Sequence, residues 1–265
     1  MTCQATSEYI LTVNKFRGAI PEERRPSWIK MTTITMLSKF ESELDLHKIE
    51  NFFRKVRKLC IRLKGSEFGG NEWRRKYTTF YNQVTLTYQD QYTNKNVKIF
   101  PNGSIHVTGC ASPIDCNKIL AQLKLMFKLI LKLDVKHSEP RIVMINTNFS
   151  LNQRIDLYKF INKIDDDPRF EWDYNPAQYS ACKIKFVPMP GMKRISSNIF
   201  GSGEIIITGA QTLKEIAYAY KLINEKMDAT VRVGKKEGVK THDMFMGAKF
   251  EDWVKTLERK YSSVI

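Results

Sequence analysis

The sequence predicts an α+β fold built by internal duplication, and three observations carry that prediction. The stretch Ile99-Phe100-Pro101-Asn102-Gly103-Ser104-Ile105-His106-Val107-Thr108-Gly109 returns 100 positions later as Ile199-Phe200-Gly201-Ser202-Gly203-Glu204-Ile205-Ile206-Ile207-Thr208-Gly209. Six of the eleven positions are identical, far above coincidence for a stretch of mixed composition. A second block recurs at its own spacing: Leu44-Asp45-Leu46-His47-Lys48-Ile49-Glu50-Asn51 reappears 111 positions on as Ile155-Asp156-Leu157-Tyr158-Lys159-Phe160-Ile161-Asn162. Around both blocks the apolar residues alternate as in strands or recur every three to four positions as in helices.

Residues 1–28 mix charge with Gly18, Pro21 and Pro26 and contain Glu22-Glu23-Arg24-Arg25; they read as a largely irregular N-terminal arm. Repeat 1 spans 29–137. It starts with the alternating β-branched run 31–37, a strand signal. A helix follows, with Asp45 as N-cap and apolar residues at 46, 49, 53 and 56. Repeat 2 spans 138–228 and has the same order, a strand over 142–149 and then the Asp156 helix. Asp45 to Phe100 is 55 steps and Asp156 to Phe200 is 44, so repeat 1 carries about 11 extra residues. The polar, Gly-rich segment 64–76 is the expected insertion.

Each copy ends in a longer helix. Ser112-Pro113-Ile114-Asp115 and Thr212-Leu213-Lys214-Glu215 both fit a capping box, in which the hydroxyl accepts one free backbone N–H and the acidic group reaches back to another. Apolar residues then run 116, 119, 120, 123, 127, 130 and 213, 216, 217, 220, 223, 227. Each set is one stripe, suited to packing on a sheet. Residues 229–265 form a basic C-terminal extension whose 250, 253/254, 257 spacing predicts a short amphipathic helix, docked on the rest of the chain or offered to a partner.

Forty-three Lys and Arg stand against 28 Asp and Glu, a formal net charge of +15. A globular chain this basic most often meets a polyanion, nucleic acid before an anionic membrane; the bland alternative is a solvated basic surface. No apolar run approaches a membrane span, since Lys124, Lys128 and Lys132 interrupt the most apolar stretch, so a membrane partner is not expected. The five cysteines form no CxxC pair, which favours a reducing, intracellular compartment over a disulfide or zinc framework. Asp165-Asp166-Asp167 reads as a solvated turn, and Cys110 and Cys116 as ordinary buried thiols. No catalytic or phosphate-cradling motif is present, so neither an enzyme nor a bound cofactor or metal is expected.

Strand parity orients the repeated hairpin. Ile105 and Val107 share one face, as do Ile205 and Ile207, and helices must cover that face. Phe100 and Phe200 fall on the other, with Lys98, His106, Thr108, Asn198, Ile206 and Thr208. A large ring on an open basic face either tucks under a loop or a partner copy, or stacks on or between bases.

These residues resemble the TATA-binding protein family, whose repeats carry I-F-x-S-G-K-x-V-x-T-G-A after an L-D-L-type helix start. Residues 199–210 fit that signature closely and 99–109 less so, with the resemblance covering roughly 30–228. It implies a saddle: one curved antiparallel sheet from two pseudo-symmetric repeats, helices on the convex face, and a concave face on the DNA minor groove, bent by inserted phenylalanines. It further implies a transcription initiation factor with double-stranded promoter or A·T-rich DNA as partner, a transcription factor IIB-like protein and RNA polymerase beside it, and a location in the nucleus or a cytoplasmic viral factory.

By the same resemblance Phe100 and Phe200 are one member of each wedge pair. Tyr179 is the second member in repeat 2, and Phe80, with Tyr77 as alternative, in repeat 1. Thr108 and Thr208 match groove-facing threonines, and His106 and Ile206 a groove valine. Thr33, Thr35 and Asn146 join the set on the first strand of each repeat, the family's central asparagines falling at Thr33 and Met144. Lys98 and Asn198 replace apolar groove residues, and Ser104 and Glu204 a lysine, so the resemblance implies altered or relaxed TATA preference. The glutamates facing a transcription factor IIB-like partner are missing near Pro176. The alternative is a module of the same fold acting as adaptor or nucleic-acid binder in a repair or RNA-processing complex.

Overall fold

The computed structural model describes residues 3–61, 72–78, 80–90, 94–110, 113–235, 244–245 and 248–261. In chain order these form α1 (Cys3–Gly18), β1 (Lys30–Lys39), α2 (Leu46–Lys55), β2 (Leu59–Cys60), β3 (Glu72–Lys76), β4 (Val84–Gln89), β5 (Asn94–Ile99), β6 (Ser104–Cys110) and α3 (Pro113–Leu131). Then follow β7 (Arg141–Ser150), β8 (Gln153–Ile155), α4 (Leu157–Ile164), β9 (Phe170–Asp173), β10 (Ala181–Phe186), β11 (Ile195–Phe200), β12 (Glu204–Ala210) and α5 (Leu213–Lys226). The chain ends with β13 (Arg232–Lys235), β14 (Met244–Phe245), β15 (Ala248–Lys249) and α6 (Phe250–Tyr261). They divide into two compact units, a first-repeat unit of residues 33–144 and a second-repeat unit of 1–32 and 145–265.

The first-repeat unit is an antiparallel sheet in the order β2-β3-β4-β5-β6-β1 with α2 and α3 on one face. Ile34, Met36, Leu86, Val97, Ile99, Ile105 and Val107 point to the helix side and are almost fully buried. There they meet Ile49 and Phe53 of α2 and Leu120, Leu123 and Phe127 of α3. Phe127 packs edge-on against Phe40, ring centroids 4.9 Å apart. The second-repeat unit repeats the plan in the order β7-β12-β11-β10-β9, with α4 and α5. Its core includes Phe149 packed on Tyr220 at 4.6 Å, with Phe160, Ile184, Phe186, Ile199, Ile205, Ile207, Ile216 and Ile223 buried. The duplicated α+β architecture is therefore as predicted.

The predicted caps are present where the structure describes them. Asp45 accepts from Lys48 N–H at 3.1 Å, and Asp156 accepts from the N–H groups of Tyr158 and Lys159. Thr212 and Glu215 make a reciprocal capping box on α5. Ser112, its proposed counterpart on α3, lies outside the described residues.

Two segments differ from expectation. Residues 3–18, read as irregular, are helix α1, which packs on α5 and α6. Ile10 and Val13 are buried, and the Phe16 ring meets Tyr218 edge-on at 5.6 Å. Gly18, Pro21 and Pro26 lie beyond the helix, so the breakers end it without preventing it. Arg17 then holds the following turn by donating to Pro26 C=O. Secondly, the expected insertion 64–76 is shorter at its C-terminal side: Glu72–Lys76 is strand β3, the counterpart of β9. Residues 62–71 lie outside the described residues. Lys55 to Glu72 is 17 positions and Ile164 to Phe170 is 6, so the extra length of repeat 1 falls between its first helix and β3.

The C-terminal helix α6 packs on α1, with Val254 and Leu257 buried and Asn14 bonded to Glu258 at 3.4 Å. Asp167, read as part of a solvated turn, is instead held by Arg169 and by Lys226 at the end of α5. The Arg169 guanidinium keeps its carboxyl well below the usual range. Among the described residues, no group of three His, Cys, Asp or Glu is placed to hold a metal, and no helix is long and apolar enough to cross a membrane.

Candidate nucleic-acid interface

The recurring eleven-residue stretch forms a hairpin turn in each unit, and the two turns are held in the same way. Gly103 and Gly203 have φ of +81° and +82°. A Cβ on Gly103 would lie 2.4 Å from Phe40 C=O, and one on Gly203 would lie 1.9 Å from Gln153 C=O. Both positions therefore require glycine for conformation and for space. The tight approach allows two backbone straps. Phe40 N–H donates to Gly103 C=O and Leu44 N–H to Pro101 C=O; in the other unit Leu151 N–H donates to Gly203 C=O and Ile155 N–H to Gly201 C=O. The straps tie each turn to the chain just before an Asp-capped helix and so fix where Phe100 and Phe200 stand.

In the first-repeat unit the face away from the helices carries two cross-strand rows. One runs Leu37, His106, Lys98, Thr85, Lys76; the other runs Thr35, Thr108, Asn96, Thr87, Arg74. Thr35 and Thr108 hydroxyls are 3.5 Å apart, and Thr33 lies half-buried on the same face. Phe100, half-buried, packs on His106 with ring centroids 4.6 Å apart. Burial first, and then the Lys98 charge, lowers the His106 pKa. Lys98 Nζ sits 5.8 Å from the centre of the Phe80 ring, which is 67 % exposed. Tyr77, the alternative wedge, lies under the Arg75 guanidinium at 4.5 Å.

In the second-repeat unit the corresponding rows are Asn148, Ile206, Asn198, Lys183, Asp173 and Thr208, Ser196, Lys185, Glu171. Phe200 meets Tyr179 edge-on at 6.0 Å, and Lys183 Nζ lies 5.2 Å from the Tyr179 ring centre. Asn146 and Asn148 share the open side of β7. Their Oδ1 atoms are buried and have no hydrogen-bond partner among the described residues, an arrangement that leaves acceptor capacity for a donor from outside. Beside Tyr179 opens a cleft of about 310 Å³ lined by Asp173, Asn175, Gln178, Lys183 and Asn198 as well as the tyrosine ring.

The structure thus puts Phe100, Thr108, His106, Lys98, Thr33 and Thr35 on the open face of the first-repeat unit, with the Phe80 ring under Lys98. Within the second-repeat unit it puts Phe200, Thr208, Ile206, Asn198 and Asn146 on that unit's own open face, with Tyr179 beside Phe200. Strand register adds residues that sequence reading passes over. Val84 faces Ile99 as Cys182 faces Ile199, so counting back three residues pairs Tyr179 with Tyr81, which is 99 % exposed. Asn148, opposite Ile206, extends the asparagine pair on β7. The residues 175–178 lie before β10 with no periodic signal, and only the fold brings them to Asn198.

Comparison with known proteins agrees with the fold. Residues 139–229 match the family model described as transcription factor TFIID (or TATA-binding protein, TBP). A "TATA-box-binding protein-like" protein of Acanthamoeba polyphaga mimivirus is 31% identical over 175 residues, which are 55% of this chain and 47% of that one. Residues 139–229, the second repeat, carry a TATA-binding protein domain, and the chain is similar to that family. The chain spans about half the length of the curated relative it matches. Among solved structures, Methanococcus jannaschii TBP superposes with a TM-score of 0.50 at 16% identity, over 75% of this chain and 96% of that chain, a likeness of fold. The family model covers the second repeat, the copy whose hairpin fits the signature better; the first repeat is joined to it by the shared turn, straps and caps.

Proposed function

We propose that the protein is a non-enzymatic DNA-binding transcription initiation factor that engages duplex DNA through the minor groove with the open faces of both repeats. The observation that carries this reading is the duplicated setting of Phe100 and Phe200. Each ring stands at a glycine-dependent turn strapped by the same two backbone bonds, on the strand face opposite the core, with a threonine of the next strand on the same face. Rings held this rigidly are suited to entering a base step, because the protein has little order left to acquire on contact. Promoter or A·T-rich DNA is bound and bent, with relaxed TATA preference because Lys98, Asn198 and His106 make the floor polar. A transcription factor IIB-like protein and RNA polymerase are the partners this reading calls for, in the nucleus or in a cytoplasmic viral factory.

Fluorescence anisotropy against salt, with A·T-rich, G·C-rich and single-stranded probes carrying a bend-sensitive dye pair, tests it. The expected result is tighter duplex than single-strand binding, a steep salt slope and a change in end-to-end transfer. Phe100→Ala combined with Phe200→Ala should remove the bend; unchanged affinity and bending in that variant overturn the proposal. A steep salt slope with no duplex or sequence preference would instead favour a nucleic-acid-binding adaptor of the same fold.

A further inference from the structure

We infer that the cleft beside Tyr179 receives a single unpaired nucleobase from the DNA held by the second-repeat unit. The inference rests on the proposed DNA binding and goes beyond it, because wedging between paired bases needs no receptor for a base. The cleft's chemistry points to the ligand. Asn175, Gln178 and Asn198 supply primary amides, each with both a donor and an acceptor end, and Asp173 supplies an acceptor. Asn175 already uses Oδ1 on Ala177 N–H at 3.2 Å, which leaves its NH2 to offer. The Asp173 carboxylate faces Lys183 across the ladder, so these two lining charges offset one another and give the cleft no net charge to hold a phosphate. A nucleobase is neutral and presents donors and acceptors side by side on one edge, as amide side chains do.

The walls agree with a flat heterocycle. Tyr179 lines the cleft with a ring that is 39% exposed, and Phe200 braces that ring edge-on at 6.0 Å. Lys183 lines the cleft and Lys185 follows it on the same exposed side of β10, two cations available to the phosphates flanking an extruded nucleotide. The volume, about 310 Å³, is at the small end of ligand pockets, which run about 300–1,000 Å³, and suits one base. Register also explains why the first-repeat unit lacks this device. The positions of Asp173, Lys183 and Asn198 are held there by Lys76, Thr85 and Lys98, and counting back from β4 puts Phe80 in place of Gln178. Those positions offer charge and stacking with no carboxylate, and the amide that falls at the place of Ala181, Gln83, already donates to the Thr85 hydroxyl at 3.1 Å.

Three A·T-rich duplexes separate the possibilities: one fully paired, one with a single unpaired thymidine bulge, and one with an abasic nucleotide in the bulge. The two bulges bend the backbone alike and differ only in the base. Because a base already unpaired avoids the cost of extrusion, the thymidine bulge should bind roughly tenfold tighter than the abasic bulge. In the double variant Asp173→Ala, Gln178→Ala that ratio should fall to near one; both bulges share the open-face contacts, so removing the Asp173 charge shifts their affinities together and the ratio reports only the base. Equal binding of the two bulges by the wild-type chain overturns the inference, as does a ratio that survives the double variant. Failure to bind any of the three duplexes overturns the DNA reading itself, which keeps the two failures apart.

Discussion

Beside Phe100 the first-repeat unit presents rings and cations: Phe80 under Lys98, Tyr77 under Arg75, and Tyr81 fully in solvent. Beside Phe200 the second-repeat unit presents a cleft of amides and a carboxylate around one tyrosine. The turns themselves are alike down to their glycine geometry and backbone straps. Duplication has therefore kept the part that positions a ring and changed the part that meets whatever the ring touches. One exchange shows how. The cross-strand pair next to each turn holds one lysine, but Lys98 is on β5 facing Thr85, whereas Lys183 is on β10 facing Asn198. The charge has moved across the ladder while the fold beneath stayed the same. The backbone straps depend on glycines and on N–H and C=O groups, which tolerate no drift; the open-face side chains lie outside the helix-covered core and are less constrained by its packing.

The largest effect should come from the cores. Phe149→Ala removes a fully buried ring packed on Tyr220 and should cost about 3–5 kcal/mol. Hydrogen exchange should show the loss in the second-repeat unit, with α3 and β6 of the first keeping their protection; a uniform loss over both would mean the units unfold as one. Next come the rings. Phe200→Ala should weaken DNA binding by about 1–3 kcal/mol. Phe100→Ala should weaken it less, because Phe80, Tyr77 and Tyr81 remain nearby. Equal losses in anisotropy titrations would break the contrast drawn between the two ends.

A smaller effect follows from the lysine exchange. Lys98→Asn gives the first unit the residue of the second and should lower the magnitude of the salt slope by about 1. Asn198→Lys should raise it by a similar step, and no change in either would remove Lys98 from the phosphate-contacting set. The smallest effect is that of His106, whose pKa is lowered by burial first and by Lys98 second. The unfolded chain thus takes up the proton at higher pH than the folded one. Stability is complete above about pH 6.5, the unfolded value, and falls as pH drops towards the lower folded pKa. NMR titration of the ring should place it below the reference value, and Lys98→Asn should move it upward.

Most of the fold is legible from local rules. Asp45 and Asp156 cap because a short acceptor precedes an apolar stripe, and 213, 216, 217, 220, 223 and 227 are all buried, as their spacing requires. Helix α1 escapes notice because Gly18, Pro21, Pro26 and a charge run outweigh a stripe of few apolar residues, and its stability comes from α5 and α6, far away in sequence. Strand β3 escapes for a related reason: Glu-Trp-Arg-Arg-Lys has little β signal, and pairing with β4 supplies what propensity does not.

The sequence by itself determined the duplication, the two turns, the helix starts and the side of the sheet on which Phe100 and Phe200 stand. Each follows from the period-two and period-3.6 geometry of the backbone or from glycine at positive φ. Only the tertiary structure decided what stands beside those rings. Counting back from the registered pairs makes Tyr81 the first-repeat counterpart of Tyr179, and register sets Asn148 opposite Ile206. Gln178 and Asp173 reach Asn198 through a loop and a neighbouring strand. Register is a long-range quantity, set by which strands pair and at which residue, so no local pattern contains it.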